Sequence, residues 1–246
     1  MLQIEHLVKT YKGTDKGVKD ISLHVEKGDL YAFIGHNGAG KTTLLKCVTG
    51  IHGFDSGSIQ IDGLDLLTDP MSCKKSFAYI PDNPDLYEYL TGIQYLNFVA
   101  DVFGVKAKDR KERIEKYGRD LEILEACGDL IKSYSHGMKQ KLALLSALIH
   151  EPKLLILDEP FVGLDPKATV SLKNIMREIC DRGGAIFFST HVLEVAEKLC
   201  NKVAIIKDGR LIAAGKMEEL VGQGESLEDV FMEVLTGETD RVDESD

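Results

Sequence analysis

The spacing of apolar and polar positions changes along the chain, and each spacing predicts a different element. Residues 2–8, Leu-Gln-Ile-Glu-His-Leu-Val, and 18–25, Val-Lys-Asp-Ile-Ser-Leu-His-Val, alternate and predict half-buried strands. Residues 29–35, Asp-Leu-Tyr-Ala-Phe-Ile-Gly, are denser in apolar side chains and predict a buried strand. Residues 56–63 add a strand between turn residues. The first 62 residues therefore read mostly as strands. At Gly40 the pattern changes, and residues 41–50 predict a helix.

From about residue 86 to 150 the reading is helical. Ile114, Tyr117, Leu121 and Leu124 form the apolar stripe of an amphipathic helix. Residues 141–150, Lys-Leu-Ala-Leu-Leu-Ser-Ala-Leu-Ile-His, predict a more deeply buried one. Residues 154–157 and 185–190 then read as short buried strands around a helical 167–181, the pattern of a parallel sheet. Residues 203–215 predict two strands around Asp208-Gly209, a hairpin signal.

Composition narrows the class. At 246 residues the chain suits one large domain or two small ones, and at 43% hydrophobic it can bury a core. A net charge of −10 argues against a basic nucleic-acid face. Five cysteines are scattered without C-x-x-C spacing, as expected of reduced thiols in a cytosolic protein. No apolar run reaches the roughly 18 residues that span a bilayer, and the first residues hold no signal-peptide core. Work at a membrane would require another chain. The acidic residues from Glu238 onward predict a frayed tail over 237–246.

Three stretches carry chemistry. Gly35–Thr43, Gly-His-Asn-Gly-Ala-Gly-Lys-Thr-Thr, fits the phosphate-binding pattern G-x-x-x-x-G-K-[ST] between a strand and a helix. Its glycines let the backbone N–H groups wrap phosphates. Asn37, Gly38, Ala39, Gly40, Lys41, Thr42 and Thr43 are the candidate nucleotide contacts. Lys41 is placed to reach the β- and γ-phosphates, and Thr42 to ligate Mg²⁺. The buried strand at 154–157 leads into Asp158 and Glu159 at its carboxyl end, where open α/β sheets bind ligands. Asp158 is the expected Mg²⁺ residue and Glu159 the expected acceptor of a proton from attacking water. His191 follows another core strand and could bond the γ-phosphate or that water. A further stretch, Ser-Tyr-Ser-His-Gly-Met-Lys-Gln-Lys at 133–141, has no nucleophile or metal pair. Small residues opening a helix suit a close approach to an anion.

Taken in order, Gly35–Thr43, Ser135–Met138, Asp158–Glu159 and His191 resemble the motifs of the ATP-binding cassette (ABC) ATPases, the nucleotide-binding subunits of ABC transporters. The resemblance covers about residues 2–236 and implies one α/β domain. That domain is a P-loop NTPase (RecA-like) core with a mixed sheet, an antiparallel β subdomain and an inserted helical subdomain at about 86–150. It implies ATP and Mg²⁺ as ligands, Tyr11 stacked on adenine, and Asp165 at a subunit interface. It also implies a head-to-tail dimer around two MgATP. There Ser135 and the Gly137 N–H of one cassette contact the γ-phosphate held by a second cassette.

His136 and Met138 stand where the family signature has Gly and Gln, and Asp82, after Tyr79-Ile80-Pro81, stands where the family has Gln. Asp82 is a candidate Mg²⁺ ligand. The family further implies an integral membrane permease as partner, contacted around residues 82–100. The chain is then cytoplasmic, peripheral at the inner face of the membrane. Tyr134, Lys139-Gln140 and residues 226–237 resemble exporter subunits for drugs, antibiotics or peptides. The alternative is a soluble ABC ATPase acting on nucleic acid or ribosomes.

Overall fold

The computed structural model describes residues 1–236 apart from Asp15 and Gln223; the acidic tail expected at 237–246 lies outside the described residues. The alternating N-terminal segments pair as β1 (Leu2–Thr10) and β2 (Gly17–Val25). With β4 (Ser56–Ile61) and the short β5 (Leu64–Asp65), they make an antiparallel sheet in the order β2-β1-β4-β5. Leu2, Ile4, Ile21 and Val25 point inward, and polar residues between them face water.

The continuous apolar runs become a second sheet. β3 (Leu30–Ile34), β6 (Phe77–Ile80), β7 (Leu154–Asp158), β8 (Ala185–Thr190) and β9 (Lys202–Lys207) are parallel in the order β9-β3-β8-β7-β6. β10 (Arg210–Lys216) closes the β9 edge antiparallel, through the turn at Asp208-Gly209. Asp208 (φ 50°) and Gly209 (φ 81°) are both left-handed, as a tight hairpin requires. The sheet divides the core in two. Leu30, Ala32 and Ile34 of β3 face one cluster, while Tyr31 and Phe33 face the other. Each fully buried Leu, Ile or Phe contributes about 1.5–3 kcal/mol from apolar burial.

Helices cover both faces. α1 (Lys41–Val48) follows β3, and α2 (Pro70–Ser76), capped by Asp69, precedes β6. The inserted subdomain comprises α3 (Gly92–Val102), α4 (Ala107–Asp120) and α5 (His136–Leu148). The helical reading from residue 86 starts early. Thr91 and Gln94 form a reciprocal capping box, so α3 begins only at Gly92. The stripe through Leu124 also overshoots. α4 stops at Asp120, Glu122 turns left-handed (φ 54°), and Leu124 opens a separate 3₁₀ turn over Leu124–Gly128. α6 (Pro166–Asp181), α7 (Leu193–Leu199), α8 (Met217–Leu220) and α9 (Leu227–Thr236) complete the chain.

A groove of about 520 Å³ runs between β6 and the α3–α5 pair, lined by Tyr79, Pro81, Leu86, Tyr95, Phe103 and His150 among others. His150 stacks on Phe103 with ring centroids 3.7 Å apart. Burial pushes its pKa down to about 4, against about 6.5 in an unfolded chain. The unfolded state therefore takes up a proton at a higher pH than the folded one. Stability from the neutral imidazole is full above pH ~6.5 and is lost as pH falls toward ~4. Thermal unfolding midpoints measured across that window should drop more steeply for the wild type than for His150→Phe.

Candidate functional site

The parallel register brings the carboxyl ends of four strands to one edge. Ile34 lies beside Thr190, and Asp158 beside Ser189. The loop after β3, the acidic pair ending β7, the residues after β8 and the turn after β6 therefore meet. The loop after β3, the acidic pair and the turn after β6, together with Tyr11, Thr14, Lys16 and Gly17, line a cleft of about 400 Å³. Of the expected residues, Tyr11, Asn37, Gly38, Gly40, Lys41, Thr42, Thr43, Asp82, Asp158 and Glu159 line this cleft. Ala39 is buried behind it. His191 reaches it through Glu159.

The phosphate loop is shaped by close packing. Gly40 has φ 116°, and a Cβ there would lie 2.8 Å from the Gly17 carbonyl oxygen. Only glycine fits. α1 then starts at Lys41, so its first N–H groups face the cleft with no acceptor inside the helix. Lys41 is buried and its ammonium donates to the Gly35 carbonyl at 2.6 Å. It also lies 3.4 Å from Glu159 Oε1.

Glu159 occupies left-handed backbone space (φ 49°), uncommon for a residue with a side chain. Its N–H donates to the Ser189 carbonyl (3.2 Å) and to Ser189 Oγ (3.0 Å), which hold that conformation. The carboxylate is thereby carried between Lys41 and His191, whose Nδ1 lies 2.9 Å from Glu159 Oε2.

Asp158 is 2% exposed. Burial pushes its carboxyl pKa up, the neighbouring Glu159 and Asp82 push the same way, and hydrogen bonds from Ser189 and Thr42 oppose them. Ser189 Oγ donates to Asp158 Oδ1 at 2.5 Å. A buried carboxylate crowded by two others is a place where a divalent cation relieves repulsion. The donors are all hard oxygens: Thr42 hydroxyl, Asp158 and Asp82. That set fits Mg²⁺. Among the described residues no group of three or more His, Cys, Asp or Glu forms a cage able to hold a metal.

Ser135 and Gly137 are not in this cleft. Ser135 caps α5, its Oγ accepting from the Met138 N–H at 3.3 Å. The N–H groups of His136 and Gly137 then have no acceptor within the helix. A Cβ on Gly163 would lie 2.7 Å from the His136 ring, and Lys141 pairs with Asp165 at 2.6 Å. Asp165 also caps α6 by accepting from the Ala168 N–H, so the start of α5 and the 161–165 loop form one unit.

Ser189 was missed by the pattern reading. Its signal is a small polar residue directly after the apolar run 185–188 and still within β8, two places before His191. Thr14, Lys16 and Gly17 also line the cleft beside Tyr11, and no local pattern points to them.

The chain is similar to known proteins over most of its length. The family model described as ABC transporter matches residues 18–162. A shorter match, to an AAA domain described as a putative AbiEii toxin of a type IV toxin–antitoxin system, covers residues 130–197. The chain is 38% identical over 223 residues to the uncharacterized ABC transporter ATP-binding protein YxlF of Bacillus subtilis (strain 168), covering 91% of this chain and 73% of that protein. It is 36% identical to the SkfA peptide export ATP-binding protein SkfE of the same organism, covering 86% and 87%. A solved ATP-binding subunit of an ABC transporter superposes with a TM-score of 0.91 at 34% identity, covering 96% of this chain and 99% of that one.

Ser189→Ala should leave the chain folded but remove the hydroxyl's bond to the Asp158 carboxylate and one of the two acceptors of the Glu159 N–H. The Mg²⁺ concentration for half-maximal ATP hydrolysis should rise about tenfold, as when a partner of a metal ligand is removed.

Proposed function

This chain belongs to the ABC transporter family of ATP-binding proteins, and on that premise we propose how its own residues carry ATP hydrolysis and where its partners dock. It is an ATPase, the nucleotide-binding subunit of an ABC transporter. The observation that carries the catalytic reading is the Glu159 carboxylate held between Lys41 and His191 at the rim of the phosphate loop.

Lys41 and the N–H groups opening α1 take the β- and γ-phosphates. The phosphate replaces the contacts that the ammonium makes with the Gly35 carbonyl and with Glu159. Thr42, Asp158 and Asp82 hold Mg²⁺, which when bound neutralises charge on the phosphate oxygens. Glu159 accepts the proton of the attacking water, and His191 holds Glu159 and the water in line. Tyr11 sits at the mouth of the cleft for the adenine, packed edge-on against His52 at 6.2 Å. Catalysis is then positioning and electrostatic stabilisation.

Charge at the outer side of the γ-phosphate is met by a second cassette. Ser135 and the Gly137 N–H, remote from the cleft of their own chain, face the nucleotide of a partner in a head-to-tail dimer. Support comes from α5, whose capped first turn presents N–H groups outward beside Gly163 and Asp165.

No helix among the described residues is long and apolar enough to cross a membrane. The chain reaches the membrane through a permease subunit that docks on the groove between β6 and the α3–α5 pair. Tyr87 is 58% and Tyr89 89% exposed beside that groove, and Phe98 packs edge-on to Tyr87 at 5.7 Å. Only Tyr95 of this aromatic set is largely turned into the helical subdomain, against α5. The exporter reading is supported by the similarity to SkfE, a peptide export protein, together with Tyr134 and Lys139-Gln140 in the signature region.

Glu159→Gln should bind ATP as the wild type does, lose phosphate release by at least about 100-fold, and run as a dimer in gel filtration with ATP. Phosphate release at the wild-type rate would remove Glu159 from its role. Ser135→Ala should lower turnover while ATP affinity of the monomer stays within about twofold. Ser135→Asn, which keeps an acceptor for the helix cap, separates lost capping from lost phosphate contact. A collapse of monomer affinity in both variants would mean that Ser135 serves its own cleft.

A further inference from the structure

Tyr79 stands between the two functional surfaces and has no assigned part in either. Its ring lines the groove beneath α3 and α5 and packs against the core on the α1 side of the sheet. Its hydroxyl is buried and has no hydrogen-bond partner among the described residues. Leaving a buried hydroxyl unpaired costs free energy on the order of 1–3 kcal/mol, so a protein that keeps one invites the question of what it meets.

The strand register gives the direction. Tyr79 pairs with Ile156 in parallel β6 and β7, and both side chains join the same core cluster. Asp158 lies two residues beyond Ile156, on that same face. Asp82 lies three residues beyond Tyr79 and lines the nucleotide cleft with Asp158. Burial first, and then the fields of Asp158 and Asp82, push the Tyr79 hydroxyl up from its ordinary pKa, so it is a phenol with a proton to donate. Asp158 already accepts from Ser189 and Thr42; Asp82 takes neither of those bonds.

We propose that Tyr79 is a positioning residue of the metal site: when a cation draws Asp82 toward Asp158, the Tyr79 O–H, unpartnered in the chain alone, takes up a hydrogen bond to the Asp82 carboxylate and holds it there. This rests on Asp82 acting at the metal site, as proposed above. A carboxamide at position 82 would carry no charge, and its NH₂ could donate to Asp158 by itself. A carboxylate there is repelled by Asp158 and Glu159 and needs a donor on its other side. Tyr79 supplies that donor from the strand, a more rigid support than the loop that bears Asp82.

The test is Mn²⁺ affinity, read by electron paramagnetic resonance in the presence of ADP, for Tyr79→Phe, Asp82→Ala and the double variant. Tyr79→Phe removes one oxygen and leaves the ring to pack. It should weaken Mn²⁺ about tenfold, the size expected for loss of a partner of a metal ligand, with metal-free ADP affinity unchanged. In the Asp82→Ala background the same change should have no further effect. Equal weakening in both backgrounds would overturn the proposal, since the hydroxyl would then act through Asp158 or through packing. Unchanged Mn²⁺ affinity with a raised unfolding midpoint would also overturn it, marking the hydroxyl as a mere buried cost. Full Mn²⁺ affinity in Asp82→Ala alone would instead remove Asp82 from the metal site, a separate failure.

Discussion

The parallel pairing of β3, β8, β7 and β6 is the constraint on which the site depends. These strands carry little side-chain chemistry; nearly all their residues are buried and apolar. Their value is geometric. A parallel ladder places every carboxyl end on the same edge, so residues far apart in the chain emerge within hydrogen-bonding distance. A one-residue slip of β7 against β8 would move Asp158 away from Ser189 and turn it to the opposite face. A slip is costly because it would exchange the side chains fitted to each core cluster, Leu154 and Ile156 for Leu155 and Leu157, and carry the Asp158 carboxylate toward the other cluster.

The site built on that edge is electrostatically unfinished. Asp82, Asp158 and Glu159 place three carboxylates around one buried ammonium, that of Lys41. In the protein alone the charges are tied off by local contacts: Lys41 on Gly35 and Glu159, Asp158 on Ser189 and Thr42, Glu159 on His191. Each contact is one that a metal ion or a phosphate can replace. Preorganisation here means that little side-chain movement is needed when MgATP arrives, and the electrostatic terms gain most where water is excluded.

The start of α5 follows a different logic. Its cap, its glycine and its neighbouring loop are tightly made, yet they serve nothing in the chain's own cleft. A capped helix start remote from the chain's own cleft is what the proposed contact with a second cassette's nucleotide requires. The same separation holds for the groove beside β6, with its exposed tyrosines. The chain thus presents a nucleotide cleft, a helix N-terminus and an aromatic groove on a scaffold whose two core clusters share one sheet.

Much of this was legible in the sequence. Alternation identified the strands of the antiparallel sheet, apolar runs identified the buried parallel strands, and Asp208-Gly209 marked the hairpin, because each depends on residues near one another in the chain. Gly35–Thr43 and Asp158–Glu159 were readable for the same reason: the motif is local and its chemistry follows from residue type. The end of α4 was not readable, because the apolar spacing through Leu124 continues past the left-handed turn at Glu122. Ser189, the cleft lining at Thr14 and Lys16, and the orphaned hydroxyl of Tyr79 were also hidden. What the chain alone determined was the list of chemical groups and the elements that carry them. Which groups meet was decided by the tertiary structure, since strand order and register set distances between residues that have no relation along the sequence.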